Sequence, residues 1–134
     1  MPITYIIDNG RRQIRTTCSG PVTLEDVADH FRGLRDDPDC GGHLDVLLDV
    51  HEADSVPESK QLTVVNLHIA SIRAKVKFGI CAIVANRDAM FGMMRMFAVF
   101  AEENFRAIRV FRETAEAEEW LRTQQGMDET RSIA

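Results

Sequence analysis

Hydrophobic spacing along the chain switches repeatedly between the strand period and the helix period. Within residues 3–8 apolar and polar positions alternate weakly, Asn9-Gly10 follows, and residues 11–18 resume the strand pattern. Asn-Gly tolerates positive φ at both positions, so this stretch reads as a hairpin. Ser19-Gly20-Pro21 breaks the second strand, and Thr23 is placed to cap a helix, with Asp26 three residues on as a near capping box. Leu24, Val27, Phe31 and Leu34 then recur at helical spacing to about residue 35. A loop over residues 36–42 leads to a short strand at 44–50. Pro57 fits the first turn of a second helix, whose stripe is Leu62, Val65, Ile69 and Ile72. Residues 76–85 are almost unbroken apolar sequence, the mark of a central strand covered on both faces. A helix rich in Met and Phe is expected over 89–105, a last strand over 107–111, and a final helix from Thr114 through Leu121.

The predicted fold is α/β: a mixed five-stranded sheet, antiparallel only in its opening hairpin, with four helices in a β-α superhelix. Parallel neighbours require right-handed crossovers. The strands also show which side the helices take. Leu44, Val46, Leu48 and Val50 share one face of their strand, whereas Asp45, Leu47 and Asp49 share the other. Ile14 and Cys18 similarly stand against Gln13, Arg15 and Thr17. Helices on both faces would make both sets apolar, so they should crowd one face and leave part of the other wet. A single domain over residues 1–122 accounts for the pattern, followed by a polar, flexible tail over 123–134.

Several segments resemble the SpoIIAA-like family, which neighbours STAS domains and the Sec14 (CRAL-TRIO) lipid-binding fold. They are Gly20-Pro21-Val22-Thr23-Leu24-Glu25-Asp26 opening the first helix, Leu47-Leu48-Asp49-Val50 in the third strand, and Ile83-Val84-Ala85-Asn86 closing the fourth. Val110-Phe111-Arg112 and Glu116-Ala117-Glu118-Glu119-Trp120-Leu121 complete the set. The likeness runs over residues 3–121. It implies a non-enzymatic regulatory or binding module acting through protein–protein contact, or a Sec14-like binder of a small hydrophobic ligand or lipid. In STAS proteins a Ser or Thr after the third strand is phosphorylated to switch partner binding. The resemblance carries that role to Ser55 of Asp54-Ser55, although Val56 stands where the family has glycine and the loop is shorter.

Composition narrows the partners. The chain is 45% hydrophobic and 28% charged, as expected of a globular domain. Its net charge of −5 disfavours nucleic acid and anionic membrane surfaces. No run approaches the roughly 18 apolar residues of a membrane span, so stable membrane insertion is not expected. Cys18, Cys40 and Cys81 are odd in number and widely spaced, a poor disulfide framework. A reduced cytoplasm is the expected location.

Ligands of parallel sheets sit beyond the carboxyl ends of the strands. Those ends supply Asp49, His51, Asn86, Arg87 and Arg112, which could hold a phosphate or a partner's acid, or could be ordinary polar loop residues. Asp49, His51 and Asp54 lack a fourth donor, so no metal is expected. Cys40-Gly41-Gly42-His43 lies at the amino end of a strand, with nothing to hold a base against the thiol. No phosphate loop, dinucleotide fingerprint, HExxH or nucleophile elbow occurs, and no cofactor or enzymatic activity is expected.

The helix carrying Met90, Phe91, Met93, Met94, Met96, Phe97 and Phe100 stands out. At about 100° per residue its apolar arc spans roughly 220°, twice what a surface helix needs. Three arrangements would bury the excess: neighbouring helices, a homodimer seam, or the wall of an apolar pocket. On the second helix Val64, Leu67 and Ser71 lie opposite the core stripe and could also meet a partner.

Overall fold

The computed structural model describes residues 2–133. Its elements are β1 (Ile3–Asp8), β2 (Gln13–Gly20), α1 (Leu24–Asp36), β3 (Gly42–Ala53), α2 (Ser59–Ser71), β4 (Val76–Val84), α3 (Asp88–Phe100), β5 (Ala107–Phe111) and α4 (Thr114–Ile133). Short 3₁₀ turns at Pro38–Cys40 and Glu102–Asn104 follow α1 and α3. The strands lie in the order β1-β2-β3-β4-β5, antiparallel between β1 and β2 and parallel thereafter. This is the expected mixed α/β sheet.

Because each crossover joins neighbouring strands and steps the same way, one handedness puts α1, α2 and α3 on one face. The main core forms there, with Ile14, Leu44, Val46, Val50, Cys81 and Ile83 from the strands meeting Phe31, Leu34, Leu62, Ile69, Met94 and Phe97 from the helices. The other face carries only α4, whose Ala117 and Leu121 cover Leu47, Ile80, Ala82, Val84 and Phe111. The outer strands remain open on that side: Ile6 is exposed, and Arg15 reaches Glu118 of α4 in a surface ion pair.

Local differences from the sequence expectation have identifiable causes. The β1–β2 connection is a loop over residues 9–12, because Asp8 pairs with Gln13, and Arg12 rather than Gly10 takes positive φ (48°). Its guanidinium fixes that conformation by donating to Asn9 Oδ1 (2.8 Å), Asp39 O (3.2 Å), Gly41 O (2.7 Å) and His43 O (3.2 Å). Thr23 does cap α1, in a capping box with Asp26. Pro57 precedes α2, whose N-cap is Glu58. The third helix stops at Phe100 because Asn66 Nδ2 takes the Phe100 carbonyl (3.0 Å) while Asn104 Nδ2 donates to Asn66 Oδ1 (2.5 Å). The α4 backbone stays helical past Leu121 to Ile133. The tail expected over 123–134 falls partly on Ala134 and on side chains from 127 onward, which lie outside the described residues.

Asp45 departs most from the expected wet face, since it is buried. Its carboxylate accepts from Ile80 N (2.9 Å) and from Gln125 Nε2 of α4 (2.8 Å), and His43 Nε2 lies 3.1 Å away. These bonds replace the water that a buried carboxylate would otherwise lose. Room for them comes from Gly79, where a Cβ would fall 2.2 Å from Asp45 Oδ1 and 2.3 Å from the His43 ring.

Two predictions follow from this packing. Gly79→Ala evicts the buried carboxylate from its bonds and should cost about 2 kcal/mol in urea unfolding, whereas His43→Ala, whose ring is largely exposed, should cost under about 0.5 kcal/mol. Met94→Glu and Phe97→Glu place an unpaired charge among buried side chains and should abolish the cooperative unfolding transition. Met96→Glu, at an exposed position, should leave circular dichroism and the urea midpoint of the monomer unchanged.

Candidate functional site

The polar residues at the carboxyl ends of the strands divide into separate groups, each already satisfied within the fold. Asp49 Oδ1 accepts from the His51 backbone (3.0 Å) and pairs closely with His51 Nδ1. That hydrogen bond raises the His51 pKa above its ordinary value, against the smaller effect of burial. Glu52 lies 3.6 Å from His51 Nε2 and accepts from Ser19 Oγ (3.1 Å). Farther along, Arg112 donates to Asn86 O (3.2 Å) and Asp88 Oδ1 (2.8 Å) and lies over the Phe91 ring. Arg87 is turned back onto the Ala53 carbonyl. Each of these three groups thus has its own partner: Asp49 for His51, the Ala53 carbonyl for Arg87, and Asn86 O with Asp88 for Arg112. Among the described residues no three His, Cys, Asp or Glu side chains are grouped to hold a metal.

The methionine-rich helix divides its wide apolar arc in two. Met90, Met94 and Phe97 are buried toward the sheet, with Phe91 and Met93 partly buried beside them. Met96 and Phe100 are exposed, next to Val99 at 63% exposure. On neighbouring α2, Leu67 is 65% exposed. An apolar surface therefore spans α2 and α3, on the side of α2 where the sequence sets Leu67 opposite its core stripe.

Between the sheet and α1–α3 lies an apolar cavity of about 210 Å³. Ile14, Thr16 and Cys18 of β2 and Val46, Leu48 and Val50 of β3 form its floor. Val27, His30, Phe31 and Leu34 of α1, Leu62, Val65 and Ile69 of α2, and Met90, Met94 and Phe97 of α3 form its walls and roof. The exposed lining residues Thr23, Leu24 and Ser55 mark its mouth, between the start of α1 and the segment after β3. That is the carboxyl end of the parallel strands, where ligands of such sheets enter. Ser55 thus sits at the rim, in a bend ahead of Ser59, the first residue of α2.

Gly20 helps to shape this mouth. It ends β2 at φ 66°, a backbone conformation costly for residues with a Cβ. Its carbonyl accepts from Asp54 N (2.9 Å), tying the exits of β2 and β3 together. The sequence marks the methionine helix as carrying excess apolar surface, with core, seam and pocket wall all open, and gives no signal for the mouth or the α1 wall. The stripe Val27, Phe31 and Leu34 reads equally as core until three-dimensional packing leaves space beneath it.

Among the described residues no Lys, Arg, Asp or Glu lines the cavity. Burial pushes the Cys18 thiol up to about 11 and raises Cys81 as well, so both remain protonated at neutral pH. Burial likewise pushes His30 down to about 4, leaving its imidazole neutral. The ring packs edge-on against Tyr5 and Phe31. Since the unfolded His titrates near 6.5, the unfolded chain holds a proton the folded chain lacks between about pH 6.5 and 4. His30 therefore lowers stability as pH falls through that window. Between pH 7 and 4.5 the wild type should lose on the order of 2 kcal/mol more than His30→Phe in urea titrations; equal losses would sink this assignment.

Among the described residues no helix is long and apolar enough to cross a membrane. Comparison with curated proteins finds no significant match. A family model described as SpoIIAA-like matches residues 13–122, from the first residue of β2 into α4; it takes in α1–α3 and β2–β5 but not β1, whose Ile3 also lines the cavity. With that coverage and this strand order, the chain belongs to the SpoIIAA-like family.

Proposed function

We propose that this protein is a non-enzymatic binding domain that holds a small hydrophobic ligand in the cavity beneath α1–α3. The observation that carries the reading is the cavity itself, apolar, uncharged and open at the carboxyl ends of the strands. Well-packed interiors leave few voids larger than a water molecule, and dry apolar space of this size is characteristic of ligand sites. Catalysis would call for titratable groups converging in the cleft with pKa values poised near neutrality. Here His30 is held neutral and both thiols are held protonated.

A second reading, a protein partner or a second copy of the chain docking on α2 and α3, is favoured by the exposure of Leu67, Met96, Val99 and Phe100. The two readings are compatible. The third helix contributes Met90, Met94 and Phe97 to the cavity and Met96 and Phe100 to the outer surface. A regulatory module of STAS-like type would use such a helix to report occupancy to its partner.

Native mass spectrometry of freshly purified protein tests both readings at once. The expected spectrum contains a chain carrying one non-covalent adduct of small-molecule mass, removed by organic extraction. Val65→Trp, which projects bulk into the cavity, should lose the adduct while keeping the wild-type circular dichroism. A protein that neither retains an adduct nor rebinds one from a panel of hydrophobic compounds would end the ligand reading. If the chain is a dimer through α2 and α3, Met96→Glu should shift it to monomer; a Met96→Glu dimer would remove that surface from consideration.

A further inference from the structure

Resting on the ligand reading, we propose that the cavity selects a small neutral ligand: an aromatic ring with a short alkyl chain and one uncharged hydrogen-bonding group, as in an alkylphenol, that group being set on the Thr16 hydroxyl. Size gives the first part. An apolar cavity of about 150 Å³ accepts benzene, so about 210 Å³ holds a ring with a short substituent and cannot enclose a diacyl lipid.

Charge gives the second part. A carboxylate or phosphate drawn into the cavity would lose its water and find no compensating cation, because among the described residues no Lys or Arg lines the walls. An ammonium group would likewise find no acidic partner. Lys60, the cation nearest in sequence to Ser55, lies 3.7 Å from Glu58, and Arg87 of the β4–α3 connection is committed to the Ala53 carbonyl.

Thr16 supplies the third part. It lies mid-strand on the cavity floor, and although the residue is only 5% exposed its hydroxyl is not among the buried side-chain atoms left without a partner, which leaves it reachable from the cavity. A hydroxyl both donates and accepts, so this one on the floor suits an alcohol, phenol or carbonyl. Its cross-strand partner is Tyr5, against whose ring the neutral His30 packs. The hydroxyl and the half-buried imidazole therefore share the β1–β2 side of the cavity, away from Thr23, Ser55 and Gln61. Tyr5 itself is unavailable, since its hydroxyl donates to Asp37 Oδ2 (2.6 Å).

Isothermal titration of the full chain with 4-propylphenol, propylbenzene and 4-propylbenzoate at pH 7.5 tests the proposal. The phenol should bind with a stoichiometry of one, and the benzoate at least about tenfold more weakly. Thr16→Val, close to isosteric, should weaken the phenol by about fivefold to tenfold, the worth of one neutral hydrogen bond. It should leave propylbenzene unchanged, and Thr16→Ser should restore the phenol. Benzoate binding as tight as the phenol would overturn the neutral-ligand inference while the cavity remained a ligand site. Equal phenol affinity in wild type and Thr16→Val would overturn the assignment of Thr16. Binding of none of the three compounds would remove the ligand reading and this inference together.

Discussion

Sequential strand order with one crossover hand governs this molecule. When β2, β3, β4 and β5 are laid side by side in chain order, every parallel crossover must return on the same side. Three helices then compete for one face, and a single helix, α4, is left to serve the other. Three helices over a twisted sheet cannot contact it evenly along their lengths. Where the strands present short or polar side chains, such as Thr16, Cys18 and Cys81, the gap between layers persists as the cavity. The cavity is thus a product of topology refined by a few side chains, rather than a pocket added by a loop.

The lightly covered face depends on a different device. With only α4 available, the centre of that face is closed partly by apolar contact and partly by the buried carboxylate of Asp45, which bonds β4 through Ile80 N and α4 through Gln125. Gly79 yields the volume this carboxylate needs. Such a charge contributes little net stability compared with an apolar replacement. It does fix where α4 lies, because a shifted helix would leave the carboxylate unpartnered in the interior.

Much of this arrangement could be read from periodicity, and the exceptions share a cause. The alternating strand faces of 44–50 correctly place Leu44, Val46 and Val50 under the helices, since a period-2 pattern allows only one choice of side. The same pattern assigned Asp45 to solvent, because no local signal reveals that Gln125, far along the chain, will cover it. Asn9-Gly10 promised a tight turn, and the tertiary grip of Arg12 on the segment before β3 overrode it. The width of the methionine arc was legible as an excess of apolar surface. Its division into cavity wall and outer face was not, because both halves satisfy the same helical spacing. The strand-end polar residues were placed correctly in chain order, yet their mutual distances depend on which carbonyl or carboxylate captures each guanidinium. Arg87 and Arg112 were captured within the fold.

That division of the third helix bears on how a domain of the proposed kind would signal. Filling the cavity presses on Met90, Met94 and Phe97, and a shift of the helix they share would carry Met96 and Phe100 with it. Geometry alone does not make this a switch. A ligand that fitted both positions of α3 equally well would change nothing outside, however tightly it bound. Transmission needs an occupant that discriminates between the two positions. Flexible methionine side chains work against discrimination, since they repack around many shapes at little cost. A fixed polar anchor works for it, because one hydrogen bond to a rigid strand sets where the rest of the ligand pushes. If the cavity is occupied as proposed, the sheet would supply the anchor point and the helix the compliant wall, and a signal would be read as displacement of α3 against a stationary floor.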